Sequence, residues 1–313
     1  MQKRNLGKSG LLVSLVGLGC NNFGAFIDLE ASRKVIDKAI DLGITLFDTA
    51  DIYGKRGGSE TIMGQILGER RKNIILATKF GLPMDEAETL KGASRRYIFS
   101  AIEASLRRLK TDWIDLYQLH QVDPLTPMEE TLRALDDLIH QGKVRYIGIS
   151  NHDAWKVADA DWISRHSGLA AYISCQDEYS LLVREPEDEL IPMMKAHGLG
   201  MLPYFPLASG LLSGKYKRNH LPEGTRLATA PFAKRFTTEA NFQKVERLDE
   251  FCRERGHSLL ELAFSWLAAN PINASIIAGA TKPEQLEQNV KAVEWALTPD
   301  DFSEIDRITK SPS

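Results

Sequence analysis

Ile114-Asp115-Leu116-Tyr117-Gln118-Leu119-His120 is followed by an amphipathic stretch over 128–141 and then by Val144-Arg145-Tyr146-Ile147-Gly148-Ile149-Ser150. Two short β-rich runs on either side of one helical pattern form a strand–helix–strand unit, the connection that parallel strands require. The alternation continues in both directions. Toward the N-terminus, strand patterns at 15–19, 45–48 and 74–79 precede helical patterns over 30–42, 59–67 and 95–109. Toward the C-terminus, a helix over 154–165 follows Ser150, 172–176 leads to a helix over 187–196, 200–207 to helices over 241–255 and 259–268, and 275–280 to a helix over 283–295. Eight strand-then-helix units with no linker between them predict an α/β fold, one domain over 1–313, closed as an (α/β)8 TIM barrel. Thr126-Pro127 and Lys282-Pro283 place proline at helix starts, and Gly43, Gly142 and Gly198 follow helical runs as C-terminal caps should. Residues 1–13 predict an N-terminal hairpin plugging the far end. The stretch over 209–238 carries Gly210, Gly214, Pro222, Gly224 and Pro231, and reads as a long functional loop after strand seven.

Composition narrows the class. The 313 residues are 43% hydrophobic and 26% charged, which excludes disorder, collagen and a small disulfide scaffold. Thirty-nine Lys+Arg against 42 Asp+Glu leave a net charge of -3, so no positive field is available for a nucleic-acid backbone. Cys20, Cys175 and Cys252 are odd in number and widely spaced, which fits a reducing cytoplasm. Lys3 and Arg4 ahead of residues 11–20 imitate a secretory signal, yet Ser14 and Gly17 interrupt that run and it reads better as a first strand. No stretch approaches the roughly 18 uninterrupted apolar residues of a membrane span, so neither nucleic acid nor membrane is an expected partner.

Two phosphate-binding patterns fail. Gly17-Leu18-Gly19-Cys20-Asn21-Asn22 has Asn22 where a dinucleotide fingerprint needs its third glycine. Gly210-Leu211-Leu212-Ser213-Gly214-Lys215-Tyr216 is one residue short of a P-loop and ends in Tyr. The seven histidines show no ligand spacing, and no metal is expected.

Barrel chemistry sits at the C-terminal ends of the strands. Asp48 ends the second strand with Tyr53 five residues on, Lys79 ends the third, and His120 ends the fourth. Each residue has an ordinary reading by itself: a loop cap, a packed aromatic, a surface charge, a core imidazole. Their convergence at one mouth changes that balance. A free phenol titrates near pH 10, so Tyr53 needs a neighbouring cation to act as an acid. Lys79 supplies the cation, Asp48 holds Lys79 charged, and His120 donates a hydrogen bond to a substrate carbonyl. The set suits hydride addition to a carbonyl.

Here the sequence resembles the aldo-keto reductase family. The resemblance lies in residues 46–54 around Asp48 and Tyr53, Thr78-Lys79-Phe80, 115–120 ending in His120, Gly148-Ile149-Ser150-Asn151, Gln176, 204–210 and 279–285, in order from about residue 4 onward. It implies an NADP(H)-dependent carbonyl reductase with Tyr53 as general acid. Ser150, Asn151 and Gln176 would hold the nicotinamide amide, with Tyr204 stacked on its ring. Leu207, Ser209 and Gly210 would meet the pyrophosphate under Lys215 and Arg226, and Gly279, Thr281, Gln285 and Asn289 the adenosine. The long loop resembles the branch of bacterial and plant reductases and potassium-channel β subunits. Better-known reductases carry Arg where Gln285 stands and Glu where Gln288 stands, which leaves NAD(H) open beside NADP(H). Asn22, Phe23, Phe26, Phe80 and Val122 are the expected pocket walls around a small carbonyl or alcohol. The alternative is a regulatory subunit that binds the cofactor and senses its redox state. Substrate identity, reaction direction and oligomeric state are not written in the sequence.

Overall fold

The computed structural model describes residues 1–218, 227 and 231–310. The chain opens with an antiparallel hairpin, β1 (Lys3–Asn5) and β2 (Leu12–Ser14). Eight further strands follow: β3 (Val16–Gly19), β4 (Leu46–Asp48), β5 (Ile75–Phe80), β6 (Ile114–Leu119), β7 (Val144–Ser150), β8 (Ser174–Gln176), β9 (Gly200–Met201) and β10 (Ile276–Gly279). They pair in parallel in the order β10-β3-β4-β5-β6-β7-β8-β9. Backbone bonds from Met201 N to Ile272 O (2.8 Å), Ala274 N to Met201 O (2.9 Å) and Ile277 N to Pro203 O (2.9 Å) join the last two members and close the ring. Closure leaves no unpaired sheet edge.

Side chains alternate inward and outward along each strand. Leu46, Ala77, Leu116, Leu202 and Ile277 point inward and meet Leu6 and Val13 of the hairpin in one buried cluster, so the hairpin does plug the barrel floor. Plug and floor touch backbone to backbone. A Cβ at Gly200 would lie 2.5 Å from Gly7 N, which is why a residue without a side chain stands there. The outward faces bury against surrounding helices, including Leu29–Asp41, Arg95–Leu109, Met128–His140 and Ala154–Ser167.

Three elements differ from the sequence reading. The seventh strand stops after two residues, because Pro203 and Pro206 have no N–H for the ladder and Phe205 turns left-handed at φ 52. The last expected helix covers only Pro283–Lys291. A further helix, Pro299–Thr309, completes the described chain, with Thr298 and Asp301 forming a capping box and Arg255 and Arg184 bonding Asp301 and Asp306. No helix among the described residues is long and apolar enough to cross a membrane.

Candidate active site

Two residues beyond the apolar floor, the same inward-facing register turns polar. Leu46 is followed by Asp48, Ala77 by Lys79, Leu116 by Gln118 and then His120, and Ser174 by Gln176. Strand pairing sets Lys79 beside Gln118, and Ser150 beside Gln176. This polar tier floors a cleft of about 1490 Å³ at the C-terminal ends of the strands.

Lys79 is completely buried, and its ammonium donates to Asp48 Oδ2 (2.7 Å), Thr49 O (2.9 Å) and Tyr53 Oη (3.4 Å). All three of its protons therefore have acceptors. Asp48 Oδ1 accepts from Gln176 Nε2 at 2.9 Å and Gln118 Nε2 at 3.1 Å. The His120 ring stands edge-on to Tyr53, centroids 5.7 Å apart. Tyr53 is held by an unusual start to its helix, since Gly54, Lys55, Arg56 and Gly57 are all left-handed (φ 69, 64, 66 and 108) before the chain winds on to Ile66. Asn151, Phe205 and Ser209 are also left-handed, and all three line the cleft. Backbone strain of this kind concentrates at functional sites.

The electrostatics refine the sequence reading. Burial raises the Tyr53 phenol above its ordinary value, and Lys79 opposes that shift without cancelling it, so Tyr53 stays protonated. Burial works against the Lys79 charge too, but Asp48 and Tyr53 outweigh it and the ammonium is retained above its usual range. Burial, then the Lys79 charge, push His120 well below 6.5, and its Nδ1 has no partner among the described residues. Burial thus keeps His120 neutral. The unfolded chain therefore takes up this proton first on acidification, and stability falls as pH drops below about 6.5, by at most about 1.4 kcal/mol per pH unit. Urea titrations between pH 7 and 5 should show a smaller loss for His120→Asn than for the parent. Parallel curves would remove the buried neutral imidazole from the account.

The expected cofactor residues mostly converge. Ser150, Asn151, Gln176, Tyr204, Leu207, Ser209, Gly210, Lys215, Gly279, Thr281, Gln285 and Asn289 all line the cleft. Several are engaged with one another: Ser150 Oγ donates to Gln176 O (2.7 Å), Asn151 Nδ2 to His120 O (3.0 Å), and Tyr204 Oη to Asn151 Oδ1 (2.7 Å). Gln285 Oε1 is turned back onto its own loop, accepting from Thr281 N at 2.7 Å and Lys282 N at 3.2 Å. Arg226 lies outside the described residues.

The expected pocket walls divide. Asn22 and Phe26 line the cleft, with Phe26 57% exposed at its rim. Phe80 does not: it follows inward-facing Lys79 by one residue, so it faces the helices and packs on Tyr117 with centroids 4.7 Å apart. Phe23 is likewise fully buried in the outer core, and Val122 is half-buried away from the lining. Sequence reasoning missed Ile27 and Ile52 at the mouth and Arg235, which reaches the cleft and pairs with Glu178. It also missed Gln118, although period-two alternation from Leu116 points it inward beside Lys79.

Comparison with known proteins agrees with this fold. The family model described as the aldo/keto reductase family matches residues 15–310. A probable voltage-gated potassium channel subunit beta from Arabidopsis thaliana is 36% identical, covering 99% of this chain and 97% of the relative. L-glyceraldehyde 3-phosphate reductase from Escherichia coli K12 is 36% identical over 94% of this chain and 88% of its own length. Versiconal hemiacetal acetate reductase from Aspergillus parasiticus is 33% identical over 96% and 95%. A parallel barrel with Asp48, Tyr53, Lys79 and His120 gathered at its C-terminal mouth, matched by that model over nearly its whole length, belongs to the aldo/keto reductase family of oxidoreductases.

Proposed function

We propose that the protein reduces aldehyde or ketone carbonyls to alcohols with NADP(H), Tyr53 giving the proton to the carbonyl oxygen. The contact that carries this reading is Lys79 Nζ, with no solvent exposure, 2.7 Å from Asp48 and 3.4 Å from Tyr53 Oη. A bound nicotinamide cofactor would supply the hydride. The residues suit such a group. Ser209 Oγ lies in the cleft wall buried and without a partner among the described residues. A Cβ at Gly279 would press within 3.1 Å of Asn21 and Asn22, so bare backbone is presented to the cleft there. Ser150, Asn151 and Gln176 would hold the nicotinamide end, Ser209, Gly210 and Lys215 the phosphates, and Thr281 and Asn289 the adenosine.

As Tyr53 releases its proton, negative charge appears on its oxygen. Lys79 already stands there with its charge fixed by Asp48, so the charge is met without reorganisation. Neutral His120, beside the Tyr53 ring, offers a hydrogen bond to the same carbonyl oxygen and adds no competing positive charge. The test is loss of 340 nm absorbance with NADPH against NADH over aromatic, aliphatic, keto and sugar substrates. Turnover with NADPH in preference to NADH supports the proposal.

A second reading is supported by the channel-subunit relatives: a regulatory protein that holds the cofactor and reports its redox state. Tight cofactor binding with no turnover on any carbonyl, together with a stable protein partner, would favour it.

A further inference from the structure

Asp48 is 3% exposed, at the base of the cleft. Oδ2 is committed to Lys79, and among the described residues Oδ1 accepts from two amides, Gln176 at 2.9 Å and Gln118 at 3.1 Å. These donors differ in situation. Gln176 lines the cleft and is assigned above to the nicotinamide end, whereas Gln118 is fully buried and absent from the described lining. Gln118 sits on β6 in register with Lys79 on one side and Gly148 on the other. A Cβ at Gly148 would come within 3.1 Å of Gln118 Cγ and 3.3 Å of its Oε1, so the missing side chain of Gly148 provides the space in which the amide lies. The amide orientation follows from its neighbour: Nε2 faces the carboxylate, and the opposite orientation would set oxygen against oxygen.

We propose that Gln118 is a positioning residue for the acid, anchoring the Asp48 carboxylate with Oδ2 toward Lys79 and so keeping the ammonium beside Tyr53. This rests on Tyr53 being the proton donor. The ionisable groups around that point include Asp48 from β4, Asp51 and Tyr53 from the segment after β4, Lys79 from β5, His120 from the end of β6 and Cys20 from the end of β3.

Two substitutions test it. Gln118→Met keeps approximate shape but removes the donor. A hydrogen bond to a charged group is worth enough that kcat should fall about 10- to 100-fold. Gln118→Glu is nearly isosteric. Protonated, the new acid donates to Oδ1 as the amide does; ionised, it confronts Asp48, and two carboxylates so close do not both ionise. Its kcat should approach the parent's at low pH and decline as pH rises, along a limb missing from both the parent and Gln118→Met. Cofactor affinity, read by fluorescence titration with NADPH, should stay within about twofold in both variants.

A merely structural role predicts a harmless Gln118→Met and a Gln118→Glu profile shaped like the parent's; either result overturns the proposal. Should Gln118→Met fail to fold by circular dichroism, the Gln118→Glu profile decides. Tyr53→Phe run alongside separates the two levels: full activity there removes the acid itself, whereas an inactive Tyr53→Phe beside a fully active Gln118→Met removes only the role of Gln118.

Discussion

Tyr53→Phe is expected to lower kcat by about 10²- to 10⁴-fold while leaving NADPH affinity unchanged, because it deletes one oxygen and little else. The ring keeps its edge contact with His120, and the Lys79 ammonium still lies 4.9 Å from the ring centroid, so the loss falls on proton donation rather than on the shape of the cleft. Lys79 keeps Asp48 and Thr49 O and loses its longest bond, so the urea midpoint should barely move. Initial rates at 340 nm with a fluorescence titration of the cofactor separate the two quantities. A rate within threefold of the parent would place the acid elsewhere.

Lys79→Met is expected to damage both activity and stability. It removes the cation from a pair in which neither partner has appreciable exposure, stranding the Asp48 charge against two amides. Breaking a buried pair from one side costs about 3–5 kcal/mol, more than replacing the pair by apolar groups of similar size. The double variant Asp48→Leu, Lys79→Met should therefore be more stable than Lys79→Met, although equally inactive. Urea denaturation of the parent, both singles and the double gives the coupling directly. Strictly additive losses would mean that water reaches the pair and screens it.

Much of this site can be read from linear sequence, and the residues show why. Asp48, Lys79 and His120 are strand-end residues in a fold whose chemistry occupies that end, and each sits within a short run that resembles the family. Alternation carries the fold in the same way, because each helix follows its strand locally. What escapes is information held in side-chain parity and in three-dimensional neighbours. Phe80 looks like a pocket wall because it adjoins Lys79, and for that same reason it faces the other way. Gln118 has the correct parity, but its value depends on Asp48, seventy positions away in the chain. The raised Tyr53 phenol was also out of reach, since counting a nearby cation says nothing about how much water burial removes. The short β9 was accessible in principle through Pro203 and Pro206.

The ring closes between strands made at opposite times. β3 leaves the ribosome ~260 residues ahead of its partner β10, an interval on the order of 10–50 s at ordinary elongation rates. Arg4 binds the carbonyls of Ala268, Asn270 and Asn273, so even the N-terminal hairpin is fastened to late-made chain. Throughout synthesis β3 presents a naked edge, and the tier holding Asp48 lacks one wall. Chaperone occupancy during translation should accordingly peak on this edge, and release from it should coincide with the arrival of Ile276–Gly279.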